Sequence, residues 1–175
     1  MSKMRKDELL ERLVFSDAAL DAYAKAEIAR TEHRDHKQGD HWSRPVLLER
    51  AAYLRKLARF SEGSASETIR EVPGYCVMLT VLLRSGDAIT HEKHAEILIV
   101  LDGQASLVSG GTLERAKHVS AEETRGIAIS AGSTRDLRPG DVIHLAAGTP
   151  HQLLLADEKT LSCLVLRVKE IVESR

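Results

Sequence analysis

The chain has 175 residues, with 25 Lys and Arg against 26 Asp and Glu, a formal net charge of -1. This length suits one domain with a modest extension, and it can bury a core without a disulfide scaffold. The balanced charge offers no broad basic field for nucleic acid, and 3% aromatic residues argue against a stacking platform for bases or an aromatic sugar cleft.

The first sixty residues have helical periodicity. Leu9, Leu10, Leu13 and Val14 recur at helical spacing, and Ser16–Asp17 can cap a second helix through Ala19, Leu20, Tyr23, Ala26 and Ile28. The N-terminal MSKMRKDELLERLVF carries charges throughout and has no apolar stretch of signal-peptide length. No run in the chain approaches the ~18 apolar residues of a membrane span, so the expectation is a cytoplasmic protein with no membrane partner. The polar stretch TEHRDHKQGDHWS reads as a loop. Its His33, His36 and His41 have a spacing that could hold a metal, but no cysteine or acidic partner fixes a geometry, and such loops are usually solvated. Ser43 is a good N-cap for a third helix, with Pro45 in the first turn and an apolar stripe of Val46, Leu47, Ala51, Leu54, Leu57 and Ala58; Gly63 ends it. No compact Gly-containing turn joins these helices, which argues against a helix-turn-helix DNA reader.

From Glu67 the grammar changes. Short apolar runs (YCVMLTVLL, HAEILIVL, ASLVS, GIAIS, DVIHLAA, HQLLLA, LSCLVLRVKEI) are separated by PG, SGD, DG, GG and PGD. Many short strands with regular turn signals indicate a mainly β, antiparallel barrel or sandwich. The organisation expected is a helical extension over 1–62 and a β-barrel domain over 67–172. Cys76 and Cys163 sit inside apolar runs and read as buried, reduced thiols.

Two segments carry chemistry. The first is GDAITHEKHAEILIVLDG, Gly86 to Gly103: a strand ending at His91, a turn around Glu92–Lys93, and a second strand on which His94, Glu96, Leu98 and Val100 share one face. The second is PGDVIHLAAGTPHQ, Pro139 to Gln152, in which a Gly–Thr–Pro turn leads to His151 at the start of a strand. Imidazoles and a carboxylate from separate strands can form an open site for a divalent first-row metal.

These residues resemble the two motifs of the cupin superfamily, G-x5-H-x-H-x(3,4)-E-x6-G and G-x5-P-x-G-x2-H-x3-N. Glu96 and Gly103 match the end of the first, and His91 stands where its second histidine belongs. Gly140, Gly148 and His151 match the second, with Ala146 in the proline place. The resemblance covers roughly residues 70–170 and implies a double-stranded β-helix (jelly roll) of the small, single-domain bacterial type. It implies a metal held by His91, Glu96 and His151, with Fe, Mn, Ni and Zn all open. Two positions depart from the pattern. Ile89 replaces the first histidine, and Leu155 stands where asparagine is usual. His94 either substitutes for the missing ligand or is a solvent-facing turn residue. His144, between Ile143 and Leu145, is a strand histidine or, with His94, a candidate proton carrier in the pocket. Gln152 reads as a strand residue or a support to the site, and Gly103, Gly140 and Gly148 as turn glycines.

The function expected from the resemblance is a metal-dependent enzyme, oxidoreductase-like or an isomerase or lyase, acting on a small organic molecule. A non-catalytic small-molecule sensor is the alternative, favoured by Ile89 and Leu155, and a helical extension that docks a partner is a third. The two-faced apolar run CVMLTVLL needs a cover beyond the lumen, which a homodimer or the third helix can supply.

Overall fold

The computed structural model describes residues 39–170. The helices expected through Leu9–Val14 and Ala19–Ile28, and the loop residues His33 and His36, lie outside the described residues. His41 is described and exposed.

Helix α1 spans Arg44–Ala58. Ser43 is its N-cap, in an extended conformation, but its hydroxyl makes no cap bond; its carbonyl accepts from the Leu47 N–H at 3.1 Å instead. The buried stripe is Leu47, Ala51, Leu54 and Ala58, spaced three or four apart as one helical face requires. Val46 and Leu57, expected in that stripe, are 46% and 40% exposed. They are adjacent in sequence to Leu47 and Ala58, so the helical turn of about 100° per residue carries them off the packed face.

Thirteen strands follow: β1 (Ser64–Val72), β2 (Tyr75–Leu82), β3 (Ala88–His91), β4 (His94–Gly103), β5 (Ala105–Ser109), β6 (Thr112–Glu114), β7 (Lys117–Ser120), β8 (Glu123–Gly126), β9 (Ala128–Ser130), β10 (Ser133–Leu137), β11 (Val142–Leu145), β12 (His151–Leu154) and β13 (Leu161–Lys169). Strand structure thus begins at Ser64, slightly before the boundary read at Glu67.

One sheet has the order β1-β2-β13-β4-β11, and the other β10-β5-β12-β3-β8-β7; β6 and β9 form a small ribbon. Every pairing is antiparallel. Successive strands repeatedly cross from one sheet to the other, so that neighbours in a sheet are distant in sequence. This is the interleaved wiring of a jelly roll.

Two apolar clusters hold the layers together. Between the sheets, Leu98, Val100, Leu161, Cys163 and Val165 of the first meet Leu107 and Leu137 of the second. On the outer face of the first sheet, Leu47, Ala51 and Leu54 of α1 meet Val77, Leu79 and Val81 of β2. The cover that CVMLTVLL requires therefore comes from α1 of the same chain. Polar clamps add to it: the Arg55 guanidinium donates to Asp102 (3.1 Å) and to the fully buried Ser162 hydroxyl (3.2 Å), and Arg44 donates to the Leu101 carbonyl (3.0 Å). Arg50 is ion-paired with Glu67 of β1. Full burial of each leucine contributes about 1.5–3 kcal/mol, so the apolar contacts of Leu47 and Leu54 outweigh any one of these partly exposed pairs.

Gly103 marks the corner where the chain leaves one sheet for the other. Its φ is +88°, and a Cβ there would stand 1.9 Å from the Thr160 carbonyl oxygen, which accepts from the Gln104 N–H at 3.0 Å. Only glycine fits both constraints. Among the described residues no helix is long and apolar enough to cross a membrane.

Candidate metal centre

The site is built where the two sheets face each other. His91 ends β3 and His151 begins β12; these strands are neighbours, with His151 opposite Ile89. Glu96 lies on β4 in the other sheet and alternates with Leu98 and Val100, whose side chains enter the core between the sheets. The two motif segments are joined directly, because the Gly148 N–H donates to the His91 carbonyl at 2.8 Å. Gly148 has φ +75°, a conformation that suits glycine in the turn delivering His151.

His91, Glu96 and His151 are all buried, and one ligand atom from each lies within 4.8 Å of the others. His91 Nε2 is 3.3 Å and His151 Nε2 3.2 Å from a Glu96 oxygen, with the imidazole centroids 5.7 Å apart. Donor atoms sharing a first-row metal at about 2.1 Å are separated by about 3.0 Å in an octahedron and about 3.4 Å in a tetrahedron, so the two His–Glu96 spacings fit either.

Hydrogen bonding fits as well. His151 Nδ1 lies 3.1 Å from the Thr149 carbonyl, which can only accept, and so carries the ring proton. His91 Nδ1 faces Glu123 Oε2 at 3.5 Å. With Nδ1 engaged in this way, Nε2 of each ring would be free to give its lone pair to a metal ion, the arrangement that orients metal-binding histidines.

Burial would raise the Glu96 pKa, but hydrogen bonds and charge from His151 and His91 outweigh it and hold the carboxyl well below the usual range. Burial, reinforced by the charge of Glu96, pushes the Cys163 thiol up to about 12. Cys163 is fully buried in the core between the sheets.

One residue of the site was absent from the sequence-based set. Arg167 on β13 stands directly opposite Glu96 in the sheet register. Its Nε and Nη2 donate to Glu96 Oε1 at 2.9 and 2.8 Å, and Nη2 also donates to His91 Nε2 at 3.0 Å. The signal was the period of two in LSCLVLRVK. Leu161, Cys163 and Val165 face the core, and the next residue in phase is a charged one.

A cavity of about 390 Å³ opens from the site. Ile89, Met78, Leu82, Leu98 and Leu153 give it apolar walls, and Arg125, Arg167, Asp87 and Gln152 give it polar ones. Ile89 lines this cavity beside His151, so the position of the missing fourth ligand is apolar. Gln152 is buried and spends its amide on the Gly86 carbonyl (3.0 Å) and the Ile127 carbonyl (3.4 Å), which makes it a tie between loops.

His94 and His144 stand elsewhere. His94 begins β4 at the rim, paired in register with Lys169, and its Nδ1 lies 3.8 Å from Glu122; it is outside the converging group. His144 is exposed on β11, because Ile143 and Leu145 on either side of it turn inward. Neither lines the cavity.

The interleaved two-sheet wiring, with both motif segments meeting at one buried point, is the jelly roll that the resemblance implies. The fold is cupin-like. No protein-family model matches the chain, and no curated protein matches it. Solved structures of similar fold include a Thermus thermophilus protein (18% identity, 70% of this chain and 93% of that one, TM-score 0.48). A cupin-2 domain protein of Rhodospirillum rubrum shares 12% identity over 63% of each chain, with a TM-score of 0.46. The DMSP lyase DddQ of Ruegeria pomeroyi DSS-3 shares 18% identity over 67% of this chain and 52% of its own, with a TM-score of 0.47. At these identities the likeness concerns the fold alone.

Proposed function

We propose that this cupin-like protein is a metal-dependent enzyme acting on a small organic molecule, with His91, Glu96 and His151 holding one divalent first-row ion. The observation that carries the reading is the convergence of two Nε2 atoms and a carboxylate, each from a different strand, on the wall of an open cavity. A bound ion there would act as a Lewis acid toward a carbonyl or enolate oxygen, or activate dioxygen. The chain's own residues supply the rest. Glu123 and the Thr149 carbonyl orient the imidazoles. Three carboxylates, Asp87, Glu96 and Glu123, stand against two guanidiniums, Arg125 and Arg167, and leave one net negative charge for the cation. Three ligands leave positions open for substrate, as in two-His-one-carboxylate oxygenases. Family resemblance favours an oxidoreductase, with isomerase and lyase chemistry compatible with the same ligand set.

A second reading, a sensor that binds without converting, is favoured by one observation: His94 and His144 both lie off the cavity, so among the described residues it holds no histidine beyond the two ligand candidates. Elemental analysis of protein purified without an affinity tag separates the readings. The enzyme reading expects one ion per chain, most of it lost in His151→Ala and retained in His33→Ala; the opposite ranking overturns it. Metal-free protein carrying a retained small molecule is the sensor's result.

A further inference from the structure

We propose that Arg167 is the specificity-determining residue of this cavity and selects a small aliphatic carboxylate as its ligand. The inference rests on the metal reading above and adds the substrate class to it. Arg167 is bonded to Glu96 Oε1 and to His91 Nε2, the lone pair that a metal ion requires. The guanidinium and a metal ion therefore compete for His91, and an ion in the site releases Nη2 while Glu96 remains beside it. The side chain is 29% exposed and lines the cavity, so the released donors face the ligand space.

The other cations do not fill this role. Arg125 is already neutralised, its Nε 2.7 Å from Glu123 and its Nη1 3.4 Å from Asp87. Arg84 is exposed at the cavity's edge. One released guanidinium, with a planar fork of N–H donors, matches one planar carboxylate; a phosphate dianion would call for further cations. The remaining wall is mixed: Met78, Leu82, Ile89, Leu98 and Leu153 give room for a short hydrocarbon body, and Ser66 and Thr80 stand beside them. Glu62 at the wall repels a second negative charge and favours a monoanion.

The test uses the full chain loaded with Co(II), whose visible absorption reports both metal uptake and entry of a ligand beside the ion. Butyrate is the probe and butyramide the uncharged control. Arg167→Met should bind Co(II) about tenfold more tightly, because a competing charge-assisted donor is gone, and butyrate about tenfold more weakly, with butyramide unchanged. Opposite shifts in the two affinities are the signature, since a loosened fold would weaken both. Co(II) uptake by the wild type with unchanged butyrate affinity in Arg167→Met overturns this inference and leaves the metal reading intact. No Co(II) uptake by the wild type overturns both. If Arg167→Met does not fold, Arg167→Lys decides: the charge is retained and the fork lost, so Co(II) affinity should hold while butyrate weakens, and the reverse result overturns the assignment.

Discussion

Replacing Glu96 by Gln tests the electrostatics of the site without changing its shape. In the wild type Oε1 accepts two bonds from Arg167, and Oε2 lies 3.2 Å from His151 Nε2. A glutamine oxygen can keep both Arg167 bonds. Its amide nitrogen then faces His151 Nε2, whose hydrogen bond to the carboxylate is the strongest of the effects that lower the Glu96 pKa, so that bond is lost as well as the charge. A hydrogen bond to a charged partner contributes about 1.5–3 kcal/mol against about 0.5–1.5 for a neutral one, so the metal-free protein should lose about 1–2 kcal/mol at neutral pH. For a chain of this length that is about 2–8 °C in Tm. The pH dependence follows from the depressed pKa of Glu96. The folded carboxyl ionises below the unfolded value of about 4.3, so its stabilisation is present above that pH and is lost as pH falls toward the folded value. Glutamine does not titrate. Melting curves by circular dichroism, in the presence of a chelator, should therefore show a gap between wild type and E96Q that narrows from about pH 5 to about pH 3.5. A gap that stays constant or widens over that interval, or an E96Q protein as stable as wild type at pH 7, would refute the reasoning.

Three further outcomes are expected. Leu54→Ala should cost about 2–5 kcal/mol in urea unfolding, because it empties the contact between α1 and β2, whereas Leu57→Ala, at 40% exposure, should change stability by no more than about 0.5 kcal/mol. A thiol reagent at pH 8 should modify the half-buried Cys76 in the native protein but reach the buried Cys163 only after denaturation; prompt labelling of both would contradict the burial that raises the Cys163 pKa. The homodimer remains a proposal. With α1 covering β2 from within the chain, its support narrows to open sheet edges such as β11, where Val142 is 66% exposed, and a monomer mass in light scattering at micromolar concentration would end it.

The strands legible in the sequence are those with one face in a core. YCVMLTVLL, HAEILIVL and LSCLVLRV became β2, β4 and β13, the central strands of one sheet, because both of their faces are covered and apolar runs mark such strands. β7 and the first four residues of β10 are exposed along their length, so Lys117–Ser120 and Ser133–Leu137 carry no alternation that a reader of the sequence could use. The histidines at 91 and 151 and Glu96 were legible because turn glycines anchor the spacing of both motifs. For His94 and His144 the sequence left two readings open, and both stand off the cavity for opposite reasons. His94 shares the phase of Glu96 but stands at the rim of the sheet, and His144 lies on the face opposite its inward-turning neighbours. Arg167 escaped notice because its partner, Glu96, is 71 residues away in sequence and meets it only through strand pairing.

Strand β2 places two independent instruction sets on one stretch of backbone. Val77, Leu79 and Val81 face the helix, while Met78, Thr80 and Leu82 face the cavity. The odd positions can therefore be varied to set how firmly the protein holds together, and the even positions to set the size and polarity of what it admits. Combinations of the two should be nearly additive, since the backbone separates them. The same arrangement makes register the vulnerable quantity. A one-residue slip of β2 against β13 would turn Thr80 toward the helix and Leu79 into the cavity, and would cost the protein its stability and its ligand space in a single step.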